Sequence, residues 1–261
     1  MGASVSAKLL SVLAAFDDEH RALTLSALAR RSGLPVATAH RYLAELAAWG
    51  AVVRRPSGEY VVGRRLWELG LLASDQLDLR RVAEPFLHDI HAATRATVHL
   101  AVRDGTEVLY VDRVSGNASV PIVSVTGGRL PLHPTGVGKV LLAYAPDDVQ
   151  SWVMAHLTRI TPHTITQPGR LMTDLGRVRR EGFAQTVEEM SLGACSIAVP
   201  IRARTEVVAA VGVVVPDLRR DRPRLVAALQ VAAQGIGRSL VTSGFHPVER
   251  TAGPLPDSLV D

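Results

Sequence analysis

The segment from residue 23 to 46 constrains the fold most, because it has the pattern of two short helices joined by a tight turn. Apolar residues recur at helical spacing from about Leu25 to Ser32, and Gly33 supplies the positive φ that a helix exit needs. Pro35 suits the first turn of a second helix, since its missing N–H would have no intrahelical partner there. This order predicts a helix-turn-helix unit.

The second predicted helix has one apolar face, formed by Ala39, Tyr42, Leu43 and Leu46. In helix-turn-helix proteins the opposite face of this helix enters the major groove of DNA. This pattern alone leaves open a helical hairpin that makes no DNA contact. The residues that we predict to contact DNA, including those of flanking segments, are Thr24, Pro35, Val36, Ala37, Thr38, His40, Arg41, Arg54, Arg55 and Gly58.

Two neighbouring features favour DNA binding. Residues 49–62 combine β-branched residues with the turn-forming residues Pro56-Ser57-Gly58, and so predict a two-stranded wing. Residues 21–65 contain eight arginines against two glutamates, a net charge of +6, whereas the whole chain has a formal net charge of +4. Positive charge is therefore concentrated where a winged helix would meet phosphates.

Length and composition limit the class of protein. The chain of 261 residues, 47% of them hydrophobic, permits two domains and a sizeable core. Cys195 is the one cysteine, which excludes an internal disulfide and a cysteine-rich zinc site and fits a reducing compartment. No signal-peptide pattern is evident, and no apolar stretch reaches the ~20 residues of a membrane span. We expect a cytoplasmic protein without a membrane partner.

After residue 96, strand pairs alternate with helices. Asp104-Gly105 separates two β-rich runs and predicts a hairpin, and further strands are predicted at 122–126, 193–201 and 206–215. A helix from Leu79 to Arg95 would have Pro85 in its first turn. The expected fold class is α+β, with a mainly antiparallel sheet in the C-terminal part.

The predicted organisation has four parts. They are a winged helix-turn-helix domain at 1–62, a linker helix at 63–80 that could pair with its copy in a dimer, a sensor-like domain at 81–242 and a poorly ordered tail at 243–261. The tail is predicted from its proline and glycine content.

Two runs in the C-terminal half are similar to motifs of a known family. Residues 130–143, LPLHPTGVGKVLLA, resemble the L-P-x-H-x-T/S-x-x-G-K-x-x-L-A run of IclR-type transcriptional regulators, and residues 180–200 resemble the family's second run. Thr38 and Arg41 match as well. The resemblance covers residues 4–240 and implies a bacterial regulator with a winged helix, a linker helix and a GAF-like effector-binding domain, assembled as a homodimer or a dimer of dimers.

The run Thr135-Gly136-Val137-Gly138 opens a predicted helix. Free N–H groups and the positive end of the helix dipole would attract an anion there. The alternative is that the glycines only permit close packing of the helix on a sheet. The resemblance favours a ligand, and the residues that it predicts to contact the effector are Leu130, Gly136, Val137, Thr186, Ser196, Gly212 and Val214.

The aligned pocket residues suggest the kind of effector. Thr186 stands where an acidic residue is frequent in the family, and Gly212 and Val214 stand where members can carry serines. Buried hydroxyls left unpaired cost about 1–3 kcal/mol each, whereas an apolar body gains about 25 cal/mol per Å² buried. We predict a small organic acid with an apolar or aromatic body, such as a substituted benzoate, over a two- or three-carbon keto acid.

Catalysis has little support in the sequence. No serine lies in a G-x-S-x-G elbow, the histidines lack H-x-x-x-H or H-E-x-x-H spacing, and the run from Gly136 to Lys139 is too short for a phosphate-binding loop. We expect a ligand-responsive regulator that binds the double-stranded operator of a catabolic operon, with no cofactor, no metal and no enzymatic activity. The alternatives are an enzyme-like small-molecule-binding protein and a ligand-independent architectural DNA-binding protein.

Overall fold

The computed structural model describes residues 4–17, 19–72, 74–116, 120, 123–218 and 221–245, and for residues 74–77 it describes the backbone alone. The described residues fall into two compact units that divide between Ser74 and Asp75, within the segment predicted as a linker. Most of the predicted tail, from residue 246 onward, lies outside the described residues. Ser243 caps the last helix, and Phe245 is packed against the core.

The first unit is a small helical domain with a three-stranded antiparallel sheet of order β1-β3-β2. Its elements in chain order are α1 (Val5–Ala14), β1 (Ala22–Leu23), α2 (Leu25–Arg31), α3 (Val36–Trp49), β2 (Val52–Arg54), β3 (Tyr60–Val62) and α4 (Arg64–Gly70).

Local sequence explains the central helices of this unit. The Thr24 side chain accepts a hydrogen bond from the Ala27 N–H at 3.3 Å and caps α2. Gly33 turns the chain with a φ of +67°. The apolar face predicted for α3 is buried, which confirms the helical period; its residues are Ala39, Tyr42, Leu43 and Leu46.

The second unit is built on a six-stranded sheet of order β6-β5-β4-β9-β8-β7, in which every neighbouring pair is antiparallel. The elements are α5 (Ser74–Thr94), β4 (Thr97–Asp104), β5 (Glu107–Val114), β6 (Arg129–Pro131), α6 (Gly136–Ala143), α7 (Asp147–Ala155), α8 (Pro168–Glu181), β7 (Ala184–Val187), β8 (Cys195–Ala203), β9 (Glu206–Val215) and α9 (Arg222–Thr242).

Two apolar cores cover the two faces of this sheet. Leu100 and Val211 on one face pack with residues of α5 and α9. On the other face, small residues such as Ala198 and Ala210 pack with α6 and α8. The predicted α+β class, with an N-terminal helix-turn-helix and a mainly antiparallel C-terminal sheet, is confirmed.

Helix α9 has the length and composition of a membrane span, with a mean hydropathy of 1.2 over its most apolar window. Eight of its residues are nevertheless buried within the second unit, including Leu229 and Ile236. The apolar character of α9 is thus explained by its place in the core of this domain.

Three local expectations need correction. The described part of the strand predicted at 122–126 is not a strand; the chain turns at Gly127, whose N–H donates to the Tyr110 carbonyl, and β6 begins at Arg129. Helix α5 begins at Ser74, so Pro85 lies inside the helix rather than in its first turn. The sequence reasoning also missed β7, a short strand with only two buried residues.

Candidate functional site

The first turns of α3 form an exposed surface. Val36 is 51% exposed, and His40 and Arg41 are also exposed, whereas Thr38 is half-buried. Pro35 and Ala37 are exposed on either side of Val36. The residues predicted to enter a major groove are therefore accessible together at one end of one helix.

The wing presents two further cations. Arg54 and Arg55 are exposed at the turn between β2 and β3. Gly58 has a φ of +88°, which lets this turn close through the hydrogen bond from its own N–H to the Arg55 carbonyl. The Arg54 guanidinium lies 5.7 Å from the centre of the Tyr60 ring, so the ring supports a side chain that faces solvent.

Not every arginine of this basic segment has the same role. The Arg31 side chain donates to the Ala15 carbonyl at 2.7 Å and pairs with Asp17 at 2.5 Å. Arg64 and Arg65 both pair with Glu68. Arg31 therefore has a structural role, and Glu68 offsets part of the charge of the exposed Arg64 and Arg65. The net positive charge that faces phosphates is smaller than the sequence count suggests.

The second unit contains a cavity between the sheet and the start of α6. Its walls come from all six strands of the sheet, the segments before β6 and α6, the start of α6 and the loop after β7. All seven residues predicted to contact an effector line it: Leu130, Gly136, Val137, Thr186, Ser196, Gly212 and Val214.

The first turn of α6 places two unpaired donors at the wall of this cavity. The Thr135 side chain accepts from the Gly138 N–H at 3.0 Å, and the Thr135 carbonyl accepts from the Lys139 N–H at 2.9 Å. The N–H groups of Gly136 and Val137 have no partner in the described part of the chain. Together with the helix dipole they form a neutral site for an anion.

The glycines at this site are also required by packing. A Cβ on Gly136 would lie 2.5 Å from the Ser196 Oγ, and one on Gly138 would lie 2.2 Å from the Leu132 carbonyl oxygen. Close packing of α6 is therefore real, and at Gly136 the same missing Cβ leaves the backbone open to the cavity. The packing and ligand interpretations of this motif are compatible.

A polar row crosses the sheet beside these donors. Thr186 is opposite Ser196 in the β7–β8 register, and Ser196 is opposite Val214 in the β8–β9 register. The Thr186 Oγ1 and Ser196 Oγ are 2.6 Å apart. Two hydroxyls thus adjoin the anion site, and Val214 places an apolar surface next to them.

The sequence reasoning missed a second polar group at the cavity wall. His99 is 4% exposed, and its Nε2 lies 2.7 Å from the Ser124 Oγ. Its ring makes an edge-to-face contact with Tyr110 at 5.0 Å between ring centres. The sequence did contain a signal for this group. Side chains alternate between the two faces of a strand, so a histidine within the strongly apolar β4 is expected to face the interior.

The cavity lining carries no formal charge among its described residues. Burial, with a contribution from Arg113, lowers the pKa of His99 to about 3, so the imidazole is neutral at pH 7. Burial raises the pKa of Tyr110 to about 12 and also raises the pKa of the Cys195 thiol. An anion entering the cavity would be held by neutral donors.

A buried ion-pair network lies behind α6. Lys139 is 1% exposed, and its Nζ donates to Asp174 at 2.7 Å and to Glu189 at 2.6 Å. Burial raises the pKa of the Glu189 carboxyl, which Lys139 opposes. The network connects α6 to α8 and to the loop after β7, three of whose residues line the cavity.

No group of three or more potential metal ligands occurs in the described ranges of the chain. His133, in the run of residues 130–143, is 2% exposed, and its Nε2 lies 2.9 Å from the Thr158 carbonyl oxygen. This contact gives the side chain a structural role in the turn before α6.

Comparisons with known proteins cover both units. The family described as the IclR helix-turn-helix domain matches residues 6–56, and that of the bacterial transcriptional regulator IclR C-terminal domain matches residues 72–238. The glycerol operon regulatory protein of Streptomyces coelicolor is 35% identical over 86% of this chain and 91% of its own length. The regulator KdgR of Escherichia coli is 31% identical over 92% of both chains.

A solved structure is similar over nearly the whole chain. It is an IclR homologue from Microbacterium hydrocarbonoxydans complexed with 4-hydroxybenzoate, with 36% identity and a TM-score of 0.88. The match covers 92% of this chain and 100% of that one.

Proposed function

Since this chain belongs to the IclR family of bacterial transcriptional regulators, we propose that it is a ligand-responsive regulator of a catabolic operon. In this proposal the winged helix at 1–62 binds operator DNA, the segment 63–80 connects the domains, and the domain at 81–242 binds a small aromatic carboxylate. Binding to chromosomal DNA requires the protein to act in the cytoplasm.

The observation that carries the effector proposal is the neutral anion site in a largely apolar cavity. The free N–H groups of Gly136 and Val137 suit one carboxylate. The lining extends from the first turn of α6 across the sheet to His99 and Tyr110, a wider span than a two-carbon acid covers. The apolar wall at Val214 and Leu130 suits a ring. The complex of the Microbacterium homologue with 4-hydroxybenzoate supports this ligand class.

Calorimetry of the purified full chain tests the effector. We expect benzoate or 4-hydroxybenzoate to bind more tightly than pyruvate or glyoxylate, because only a ring buries apolar area against these walls. Val214→Ser should weaken the binding of benzoate, whereas Val231→Ser, on an exposed position of α9, is the matched control. Tight binding of glyoxylate or pyruvate without any binding of aromatic acids would overturn the proposed ligand class.

A gel-shift assay tests the DNA-binding surface, with operators selected from random duplexes. Arg41→Ala should reduce operator affinity, since one good base contact contributes about 1–3 kcal/mol of discrimination. Glu45→Ala is the control, because Glu45 is exposed on the same helix and carries the opposite charge. Unchanged affinity of Arg41→Ala at matched salt would contradict the assignment of α3.

A dimer on a pseudo-palindromic operator is part of the proposal, because one winged helix contacts too few bases for specificity. Half-sites should be separated by one helical turn, about 10 bp, or a multiple of it. Addition of the bound aromatic acid should change operator affinity. Unchanged affinity would favour an architectural DNA-binding protein, and turnover of the acid would favour an enzyme.

A further inference from the structure

We propose that His99 and Ser124 form a second polar end of the cavity, which recognises a hydroxyl group on the ring of the effector. This inference rests on the proposed function, because it assumes an aromatic acid whose carboxylate is bound at Gly136 and Val137. It assigns ligand selectivity to two residues that lie outside the two runs that resemble family motifs and outside the predicted effector-contact residues.

The geometry of the pair leaves one imidazole nitrogen unused. The Nε2 of His99 is 2.7 Å from the Ser124 Oγ, and both residues are almost fully buried. The Nδ1 has no hydrogen-bond partner within the described ranges of the chain, although His99 lines the cavity. An unpaired polar atom at a cavity wall is costly unless a ligand or a water satisfies it.

The chemistry of this pair matches a hydroxyl group. A neutral imidazole has one donor and one acceptor nitrogen, so Nδ1 accepts when Nε2 donates to Ser124 and donates when Nε2 accepts. A hydroxyl can complement either arrangement, because it both donates and accepts. A carboxylate can only accept and an ammonium can only donate, so each matches only one arrangement of the pair.

Arg113, on the neighbouring strand β5, positions the pair of His99 and Ser124. It is opposite His99 in the β4–β5 register, and its Nη1 donates to the Ser124 carbonyl at 2.7 Å. Burial is the main cause of the lowered pKa of His99, and the Arg113 guanidinium lowers this pKa further. Arg113 therefore holds Ser124 in place and adds to the effect of burial that keeps His99 neutral.

The two polar ends lie on different strands. His99 is on β4, and Gly136 packs against Ser196 on β8, with β9 between these strands. Two interstrand spacings place the backbones of β4 and β8 about 10 Å apart. That separation can accommodate one ring that has a hydrogen-bonded substituent at each of its two ends.

The experiment compares ligands that differ only at the ring substituent. Calorimetry with the full chain would use benzoate, 3-hydroxybenzoate, 4-hydroxybenzoate and 4-methylbenzoate, the last controlling for size. We expect a hydroxybenzoate to bind on the order of tenfold more tightly than 4-methylbenzoate. His99→Phe and Ser124→Ala should abolish this preference and retain benzoate binding, and His99→Asn should restore part of it.

Ser191→Ala is the matched control, because Ser191 is another serine of the cavity lining, and it should keep the preference. Retention of the hydroxyl preference in both Ser124→Ala and His99→Phe would overturn the inference and leave the proposed function intact. Equal binding of all four benzoates by the wild type would also overturn the inference, and it would leave the proposed function intact. If no benzoate binds to the wild type, the proposed function fails and the inference fails with it.

Discussion

Helices α3 and α6 both present their first turns to a proposed ligand, but their surroundings are opposite. The N-terminal end of α3 is open to solvent. Val36 in its first turn is 51% exposed, and Arg41, five residues further along the helix, is also exposed. All eight residues of α6 are buried, including Lys139. The first turn of α3 therefore faces solvent, whereas the first turn of α6 faces the cavity of the second unit.

This contrast shows how environment decides the means of binding an anion. In water, a dipole is screened and each N–H is already hydrated, so an exposed helix needs charged side chains such as Arg41 and Arg54. In a cavity of low dielectric, two neutral N–H groups suffice, since little competes with them. The predictions below test this difference between the two helices.

The largest expected effect is the salt dependence of the two binding reactions. A protein with 6–10 phosphate contacts loses about 10³–10⁵ in DNA affinity between 50 mM and 200 mM salt, and we expect operator binding through α3 to behave in this way. Binding of benzoate at α6 should change far less, because no counterions are released from neutral donors. Fluorescence anisotropy and calorimetry across this salt range would measure both, and parallel salt slopes would contradict the contrast.

Removal of the charge behind α6 should destabilise the second unit. Lys139→Met leaves the buried Asp174 and Glu189 carboxylates without their shared cation, which costs about 3–5 kcal/mol. Urea unfolding of the full chain would measure the loss of unfolding free energy. Lys8→Met is the control, because Lys8 in α1 is less buried than Lys139. A loss below about 1 kcal/mol, typical of an exposed pair, would show that the network is not structural.

Addition of one methyl group to the start of α6 should affect stability and ligand binding together. Gly136→Ala places a Cβ 2.5 Å from the Ser196 Oγ, and such overpacking costs about 1–3 kcal/mol. It should also weaken benzoate binding, because the methyl group covers the N–H donors. In Gly169→Ala, where no atom lies within 4 Å of the new Cβ, the helix should gain at most about 0.5–1 kcal/mol, because Gly169 is in the first turn of α8. Equal effects of the two variants would contradict the tight packing of α6.

The smallest expected effect is a pH dependence that arises from His99. Its pKa falls from 6.5 to about 3 on folding, so the unfolded chain binds more protons between these values. The resulting stability is present above pH 6.5 and is lost as the pH falls toward 3, at most about 1.4 kcal/mol per pH unit. Urea unfolding at pH 6.5 and 5.5 would measure the free energy of unfolding at each pH. The difference between the two values should be smaller for His99→Asn than for the wild type. Equal changes would show that His99 is not buried as a neutral group.

Local signals in the sequence were sufficient for the DNA-binding unit. Gly33, the buried face of α3 and the turn at Gly58 depend on residues only a few positions apart, and the structure places each as expected. The hairpin at Asp104-Gly105 is another such case, with Asp104 opposite Glu107. Hydrophobic period and turn chemistry determine such features before any distant contact forms.

The cavity needed more than local signals. Resemblance to a family placed Gly212 and Val214 in the pocket, but a one-residue slip on β9 would have turned both away. The register Ser196↔Val214 and His99↔Gly212 decides their orientation. The sequence alone could not pair these strands, because long-range pairing depends on which faces become buried.

The sequence by itself therefore determined the helix-turn-helix, its wing, the α+β class and the motif that begins α6. Only the tertiary structure decided that His99 meets Ser124, 25 residues away, and that Lys139 is buried between Asp174 and Glu189. It also decided that Pro85 lies inside a helix, since packing of α5 on the sheet outweighs the local cost of proline. The physical reason is the same in each case: these positions are fixed by burial shared among distant segments, which no short stretch of sequence contains.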